Sequence, residues 1–389
     1  MIMQNRYDVI IIGGGPAGIT ASLYAARGKC SVCLIDRKET PGFPVRCGEA
    51  IGLKGFTSCV SLKPEWIKSS IGATKLVSPS GISVSLPNDY EGYIIDREKM
   101  EYDMVQDAVN SGVTFIPKTT IASVTKTADG LYECTSADGM SVFHAPCVML
   151  AEGVESRLAR SLGWKTQTKL SDIISCAFAR IVHPDIDSTA CSFYMGKDIA
   201  PGGYVWVFPR GENTANVGLD VLGSVCTSAQ PKVLLEQFIQ KNFPGATISD
   251  MHGGGVPMAP WITPLVKDGV MIIGDAARMV NCTTGAGIAY ALYSGKTAGT
   301  IAAQAFTNKT CDYRHLKGYE KAWASHYGKQ QRRSYALKNT MVTFSDAFLD
   351  DVAVSLAKTD MQNMSVLKIF IKAFSKHPLQ LLKVIRLFR

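Results

Sequence analysis

Tyr7-Asp8-Val9-Ile10-Ile11-Ile12-Gly13-Gly14-Gly15-Pro16-Ala17-Gly18 is the stretch whose reading decides the fold. Interrupted only by Asp8, Tyr7 to Ile12 is an apolar, β-branched run of the kind that fills a buried parallel strand. It runs straight into Gly13 to Gly18, which fits G-x-G-x-x-G. A small-residue, helix-forming stretch follows from Ile19 to Arg27, and a second apolar strand from Ser31 to Ile35 ends in Asp36. Gly13 permits the tight turn, Gly15 lets the backbone approach a pyrophosphate, and Gly18 allows close helix–strand packing. The helix N-terminus offers unpaired N–H groups and a positive dipole end to phosphates. Asp36, 18 residues past Gly18, can accept hydrogen bonds from a ribose diol.

This unit leaves NAD and FAD both open. The feature that chooses lies far downstream, at Gly269-Val270-Met271-Ile272-Ile273-Gly274-Asp275-Ala276-Ala277. It reads as another buried strand ending in a Gly-Asp turn, followed by Thr284-Gly285-Ala286-Gly287-Ile288 and an alanine-rich helix to about Ala305. The Gly-Asp-Ala element resembles the second cofactor motif of the glutathione-reductase-like and hydroxybenzoate-hydroxylase-like flavoproteins. That resemblance implies an aspartate on the ribityl chain and a helix N-terminus facing the flavin N1–C2=O edge. A helix N-terminus stabilises the negative charge that this edge carries in a reduced flavin. The two motifs together point to FAD.

Composition bounds the rest. The chain has 389 residues, 46% hydrophobic and 19% charged, enough for two domains with large apolar cores and unlike a disordered chain. Its eleven cysteines are scattered. Cys30 and Cys33 form the one close pair, with no second pair to complete a zinc site, so no metal is expected. The first residues do not read as a secretory leader, so secretion is not expected, and the cysteines read as reduced thiols of a cytoplasmic protein. No apolar run is long enough to span a bilayer. The formal charge is +8, and most of the excess sits in the tail, where Lys368, Lys372, Lys376, Lys383, Arg386 and Arg389 meet no acidic residue. No nucleic-acid partner is expected.

Three segments narrow the family: Phe43-Pro44-Val45-Arg46-Cys47-Gly48-Glu49-Ala50, Gly203-Tyr204-Val205-Trp206-Val207-Phe208-Pro209, and Gly274-Asp275-Ala276-Ala277-Arg278. In this order and spacing they resemble the geranylgeranyl reductase family, whose archaeal branch includes the digeranylgeranylglycerophospholipid reductases. The likeness runs from Tyr7 to about Ala305. It implies an FAD enzyme that saturates isolated double bonds of isoprenoid chains, with a substrate channel over the flavin. It further implies flavin contacts at Ala17, Asp36, Cys47, Gly48, Ala50, Arg97, Ile121, Asp275, Gly287 and Ile288, beside Gly13, Gly15 and Gly18 of the first motif. Arg97 comes from Tyr93-Ile94-Ile95-Asp96-Arg97, and Ile121 would act through its backbone. The chain departs from the family at Asn281-Cys282, where many members carry Asp-Pro, at Gly285-Ala286-Gly287 and at Ala50. These changes bear on the flavin environment.

Reducing an isolated alkene takes a hydride at one carbon and a proton at the other. Cys47 is the candidate proton donor, since a thiol can hold and give a proton near neutral pH. A free cysteine is otherwise a small buried hydrophobe. Tyr204, Trp206 and Phe208 alternate with Val205 and Val207, so they share one strand face. That face suits either a packed core or an apolar wall for a prenyl chain. A flavin halogenase carries a similar aromatic stretch, which keeps a monooxygenase or halogenase of the same fold open. A membrane-associated electron-transfer flavoprotein is the other alternative. Lys75 reads as a solvated strand-end lysine, and Arg46 and Glu49 as makers of local loop hydrogen bonds. No second G-x-G-x-x-G follows a strand, so no separate NAD(P)H domain is expected. The electron donor, whether ferredoxin, a free reduced flavin or NAD(P)H, stays open.

Leu76–Leu86 and the stretches at Ile174–Val182, Tyr204–Phe208 and Asn216–Val221 alternate like an antiparallel sheet. The expected architecture is α/β: a Rossmann-like FAD-binding domain over 1–70, 97–165 and 266–310, an antiparallel β substrate domain over 71–96 and 166–265, and a helical C-terminal region over 311–389. In that region Lys368, Lys372 and Lys376 flank an apolar stripe of Leu367, Phe370, Ile371 and Phe374. Beyond Pro378, Leu381, Ile385 and Phe388 line up against Lys383 and Arg386. Such a basic amphipathic end is expected on the inner face of the cell membrane, with a helix docked on the protein's own body as the alternative.

Overall fold

Val9–Ile12 lies inside a six-stranded sheet, between Val32–Ile35 on one side and Cys147–Leu150 on the other. All of its residues are buried. The computed structural model describes residues 5–86, 91–226, 230–307, 310–359, 366–374, 377–378 and 380–381. The sheet continues to Val113–Ile116 beyond Val32–Ile35, and to Val270–Ile272 beyond Cys147–Leu150, all parallel. Val266–Lys267 closes that edge antiparallel. Val9–Ile12, Val32–Ile35, Cys147–Leu150 and Val270–Ile272 read as unbroken apolar runs because both faces are covered. The helix Pro16–Arg27 crosses the helix Ile288–Thr307 at very short range. A Cβ on Gly295 would stand 2.2 Å from Ala17 O, and one on Gly299 2.4 Å from Ala21 O. A small antiparallel sheet of Ile121–Lys126, Tyr132–Ser136 and Val142–Ala145 shares the same core through Val124, Cys134 and Phe143.

The second large sheet has seven strands, in the order Thr247–Pro257, Ile173–Val182, Thr214–Leu222, Val205–Pro209, Ala190–Tyr194, Ala73–Val77 and Ser83–Leu86. It is antiparallel except where Ala190–Tyr194 pairs parallel to Ala73–Val77. That pair joins strands from distant parts of the chain, which alternation within either strand could not reveal. The expected Leu76–Leu86 strand is a hairpin instead, turning at Gly81 with φ +86°. One face of the sheet carries Val205, Val207, Val217 and Leu219 against Leu235, Phe238 and Ile239 of the helix Pro231–Asn242. The opposite face carries Phe178, Trp206 and Phe208. A third sheet of Ala50–Gly52, Gly92–Ile95 and Ile67–Ser70 lies beside it, with Ala50 and Ile94 packed into the same cluster.

Short helices complete the chain. Ser345 caps Asp346–Ala357 by accepting from Phe348 N–H at 3.2 Å. The helix Val366–Ala373 leads into Phe374, which is buried with Ala373 against Phe348, Leu356 and Val84. This part of the tail docks on the protein's own body, and Lys368, Ile371 and Lys372 face solvent. Lys376, Lys383, Ile385, Arg386, Phe388, Arg389 and the side chains of Leu367 and Phe370 lie outside the described residues. No described helix is long and apolar enough to cross a membrane.

Candidate functional site

The glycines after Val9–Ile12 do different jobs. Gly13 has φ +112°, and a Cβ there would stand 2.2 Å from Ala151 O. A Cβ on Gly18 would stand 1.8 Å from Gly13 O. Gly15 differs, since nothing lies within 4 Å of its Cβ position. It caps the helix Pro16–Arg27 without a side chain, so the first-turn amides receive no side-chain acceptor. Asp36 ends the next strand, accepts from Gly14 N–H, and accepts from Lys38 N–H at 2.6 Å.

A cavity of about 430 Å³ opens in front of this turn. Gly15, Ala17, Cys47, Gly48, Ala50 and Arg97 line one part of it. Asp275, Gly287 and Ile288 line another, and Tyr204, Trp206 and Phe208 form a wall. Gly13, Gly18, Asp36 and Ile121 are not among the lining residues. Gly13 and Gly18 shape the turn behind it, and Ile121 is buried in the parallel-sheet core. Lys75 pairs with Asp187 at 2.6 Å instead of facing the cavity.

Cys47 Sγ accepts from Glu49 N–H at 3.2 Å. Arg97 approaches the same sulfur from the start of the helix Arg97–Asn110, which Asp96 caps by accepting from Lys99 N–H at 3.2 Å. Burial opposes the Arg97 charge, but the Glu101 carboxylate and the Cys47 sulfur, both hydrogen-bonded to the guanidinium, hold its pKa above the ordinary value. Glu49 corrects the sequence reading, because its bonds are not local. Fully buried, it takes an ion pair from Arg210, a second from Arg180 at 3.6 Å and a hydrogen bond from Asn216 Nδ2 at 3.2 Å. A buried carboxylate needs such compensation, and these partners hold Glu49 at φ +67°. Asn216 Nδ2 also donates to Cys47 O at 2.8 Å. The Cys47 loop is thereby fastened to the large sheet.

The aromatic wall follows the strand period. Tyr204 and Trp206 stand 6.3 Å apart between ring centroids, as do Trp206 and Phe208. Phe193 meets Tyr204 and Phe208 edge-on at 5.4 and 5.3 Å. Trp206 Nε1 donates to Asn216 Oδ1 at 2.9 Å, and Tyr204 OH to Thr284 O at 2.6 Å. Among the lining residues that sequence reasoning missed are Cys176 and Asp220. The available signal was an acid inside the apolar run Val217-Gly218-Leu219-Asp220-Val221.

At the far end Asp275 sits in the turn Gly274–Ala277, close to Gly287 before the helix Ile288–Thr307. Burial raises its carboxyl to about 6, with Arg97 pulling the other way. Asn281 Oδ1 accepts from Thr283 N–H at 2.9 Å and Thr284 N–H at 3.3 Å, so its side chain holds the turn that leads to Gly285-Ala286-Gly287. The residues fit a flavin dinucleotide. Gly15 leaves room beside an uncapped helix N-terminus, Arg37, Lys38 and Arg46 bring cations to the same cavity, and Asp275 supplies a polar side chain at a second helix start.

Residues 172–256 match the family described as the geranylgeranyl reductase catalytic domain, and residues 8–188 match the one described as lycopene cyclase protein. The chain is similar to the digeranylgeranylglycerophospholipid reductase of Methanoculleus marisnigri, 35% identical over 391 residues and covering 98% of both chains. Among solved structures it is similar to a geranylgeranyl bacteriochlorophyll reductase-like protein from Thermoplasma acidophilum. There the TM-score is 0.89 and the identity 28%, over 98% of this chain and 99% of that one. A flavin-dependent brominase superposes with a TM-score of 0.70 at 18% identity, over 98% of this chain and 93% of that one, a likeness of fold alone.

Proposed function

Because this chain belongs to the geranylgeranyl reductase family, we propose that it is an FAD-dependent reductase that saturates isolated C=C bonds of geranylgeranyl chains in archaeal-type membrane lipids. The observation that carries the reading is the convergence, in one cavity, of the Gly15 turn, the Cys47–Arg97 pair and the Tyr204–Trp206–Phe208 wall. FAD held in this cavity would supply the hydride chemistry that reduction of a double bond requires at one of its carbons. Cys47 gives its Sγ proton to the other carbon, and the Arg97 guanidinium neutralises the charge left on sulfur. The amides after Gly15, with Gly13 and Gly18 shaping the turn, would hold the pyrophosphate, and Asp36 would hold the ribose. Ala17, Gly48, Ala50, Asp275, Gly287 and Ile288 surround the rest of the cofactor, and Ile121 contributes through its backbone. Tyr204, Trp206 and Phe208 exclude water and lay the prenyl chain along the site.

The division into a discontinuous FAD domain, a β substrate domain and a helical C-terminal region goes with this reading. So does a place at the inner membrane surface, where the substrate resides, with electrons supplied by ferredoxin, a free reduced flavin or NAD(P)H. Nothing in the site favours halogenation over reduction, and the brominase likeness is one of fold. Cys47→Ser tests the proton-donor role. The variant is expected to bind FAD within twofold of the parent while alkene reduction falls by about 10²-fold. Full turnover with FAD bound would remove Cys47 from the chemistry.

A further inference from the structure

Cys176 and Asp220 stand opposite each other in the register of the strands Ile173–Val182 and Thr214–Leu222. Both line the cavity, and the Cys176 thiol donates to Asp220 Oδ1 at 3.0 Å. A valine or leucine would suit a strand buried this deeply, so packing does not account for the acid. Asp220 is 5% exposed. The titratable groups that face it are Cys176 on one neighbouring strand and Tyr204 at the start of the other, and Cys47, which lines the same cavity, is within electrostatic range of Cys176 and Tyr204. Burial raises the Asp220 carboxyl to about 7, while the Cys176 hydrogen bond lowers it. The acid is therefore poised to exchange a proton near neutrality.

An apolar chain filling the cavity displaces water, yet each saturated bond consumes a proton. We propose that Asp220 is the proton store of this cavity, a carboxylic acid that reprotonates the Cys47 sulfur after each bond is reduced. Cys176 is its positioning residue, because its thiol hydrogen bond stabilises the carboxylate left behind. The step balances. The alkene carbon takes the Cys47 proton, the resulting thiolate takes the Asp220 proton, and the carboxylate recovers one from solvent when product leaves. The hydride, with its two electrons, would be supplied by bound reduced FAD and ends in the new C–H bond. The relay rests on the reading of Cys47 as proton donor.

Infrared difference spectra of the flavin-free protein across the neutral pH range read the Asp220 proton without turnover. A protonated-carboxyl C=O band is expected, lost with a midpoint of about 7. It should be absent in Asp220→Asn and should persist to higher pH in Cys176→Ala, which removes the donor that favours the carboxylate. In the flavin-loaded enzyme, turnover should fall as pH rises through about 7. Asp220→Asn should lose that inflection and about 10²-fold in rate, and Asp220→Glu should recover part of both. A wild-type protein without the band, or an Asn variant that keeps both rate and inflection, would overturn the proposal. Full turnover by Cys47→Ser with the band intact would overturn the relay to Cys47 instead, leaving the carboxyl proton where it is.

Discussion

At the scale of single residues, glycines of one motif differ in what they tolerate. Gly15 lies extended before Pro16, at φ −87° and ψ −176°, where alanine is unstrained and its methyl meets only open space. Gly18 faces Gly13 O at 1.8 Å from a Cβ, with no side chain able to move aside. Gly15→Ala is therefore expected to melt within about a degree of the parent without flavin, yet to bind FAD at least about tenfold more weakly, because its methyl would fall where the pyrophosphate is proposed to lie. Gly18→Ala is expected to lose several kcal/mol of stability, of the order of overpacking at its worst. Thermal melts beside flavin titration separate the two. Equal flavin affinity for Gly15→Ala and the parent would move the pyrophosphate elsewhere. This motif was legible in the sequence because turn geometry is set by neighbours a few residues away. The aromatic wall was legible too, because period two fixes which of Tyr204 to Phe208 share a face.

At the scale of elements, legibility ends where strands choose partners. Glu49 and Arg210 are 161 residues apart, and Cys176 and Asp220 are 44 apart. Only the register of Ile173–Val182 on Thr214–Leu222 brings the second pair together. The parallel pairing of Ala73–Val77 with Ala190–Tyr194 was hidden for the same reason. These buried groups leave a mark on stability. Asp220 and Asp275 have folded-state pKa values of about 7 and about 6, both raised from 3.8. The folded protein thus holds their protons more tightly than the unfolded chain. Their contribution is fully present below 3.8 and is lost as pH rises through about 6 for Asp275 and about 7 for Asp220. Asp220→Asn should accordingly gain stability over the parent as pH rises, by about 4 kcal/mol above neutrality in the flavin-free protein. Denaturant melts across that range check it, and a difference independent of pH would mean that Asp220 is ionised throughout.

At the scale of the whole molecule, the parallel sheet presents two helix starts to one side of the cavity and the seven-stranded sheet presents the aromatic wall to the other. The Cys47 loop bridges them through Glu49 and Asn216. The arrangement predicts flavin on the first side, an isoprenoid chain on the second, and proton-holding groups between. The most direct test is anaerobic. FAD-loaded protein is reduced with dithionite and mixed with digeranylgeranylglycerophospholipid in anionic vesicles, and flavin absorbance, lipid mass and pelleted protein are followed together. The expected result is reoxidation of the flavin in step with a gain of one hydrogen pair per saturated bond, with protein on the vesicles. A flavin that stays reduced beside lipid of unchanged mass would contradict the account.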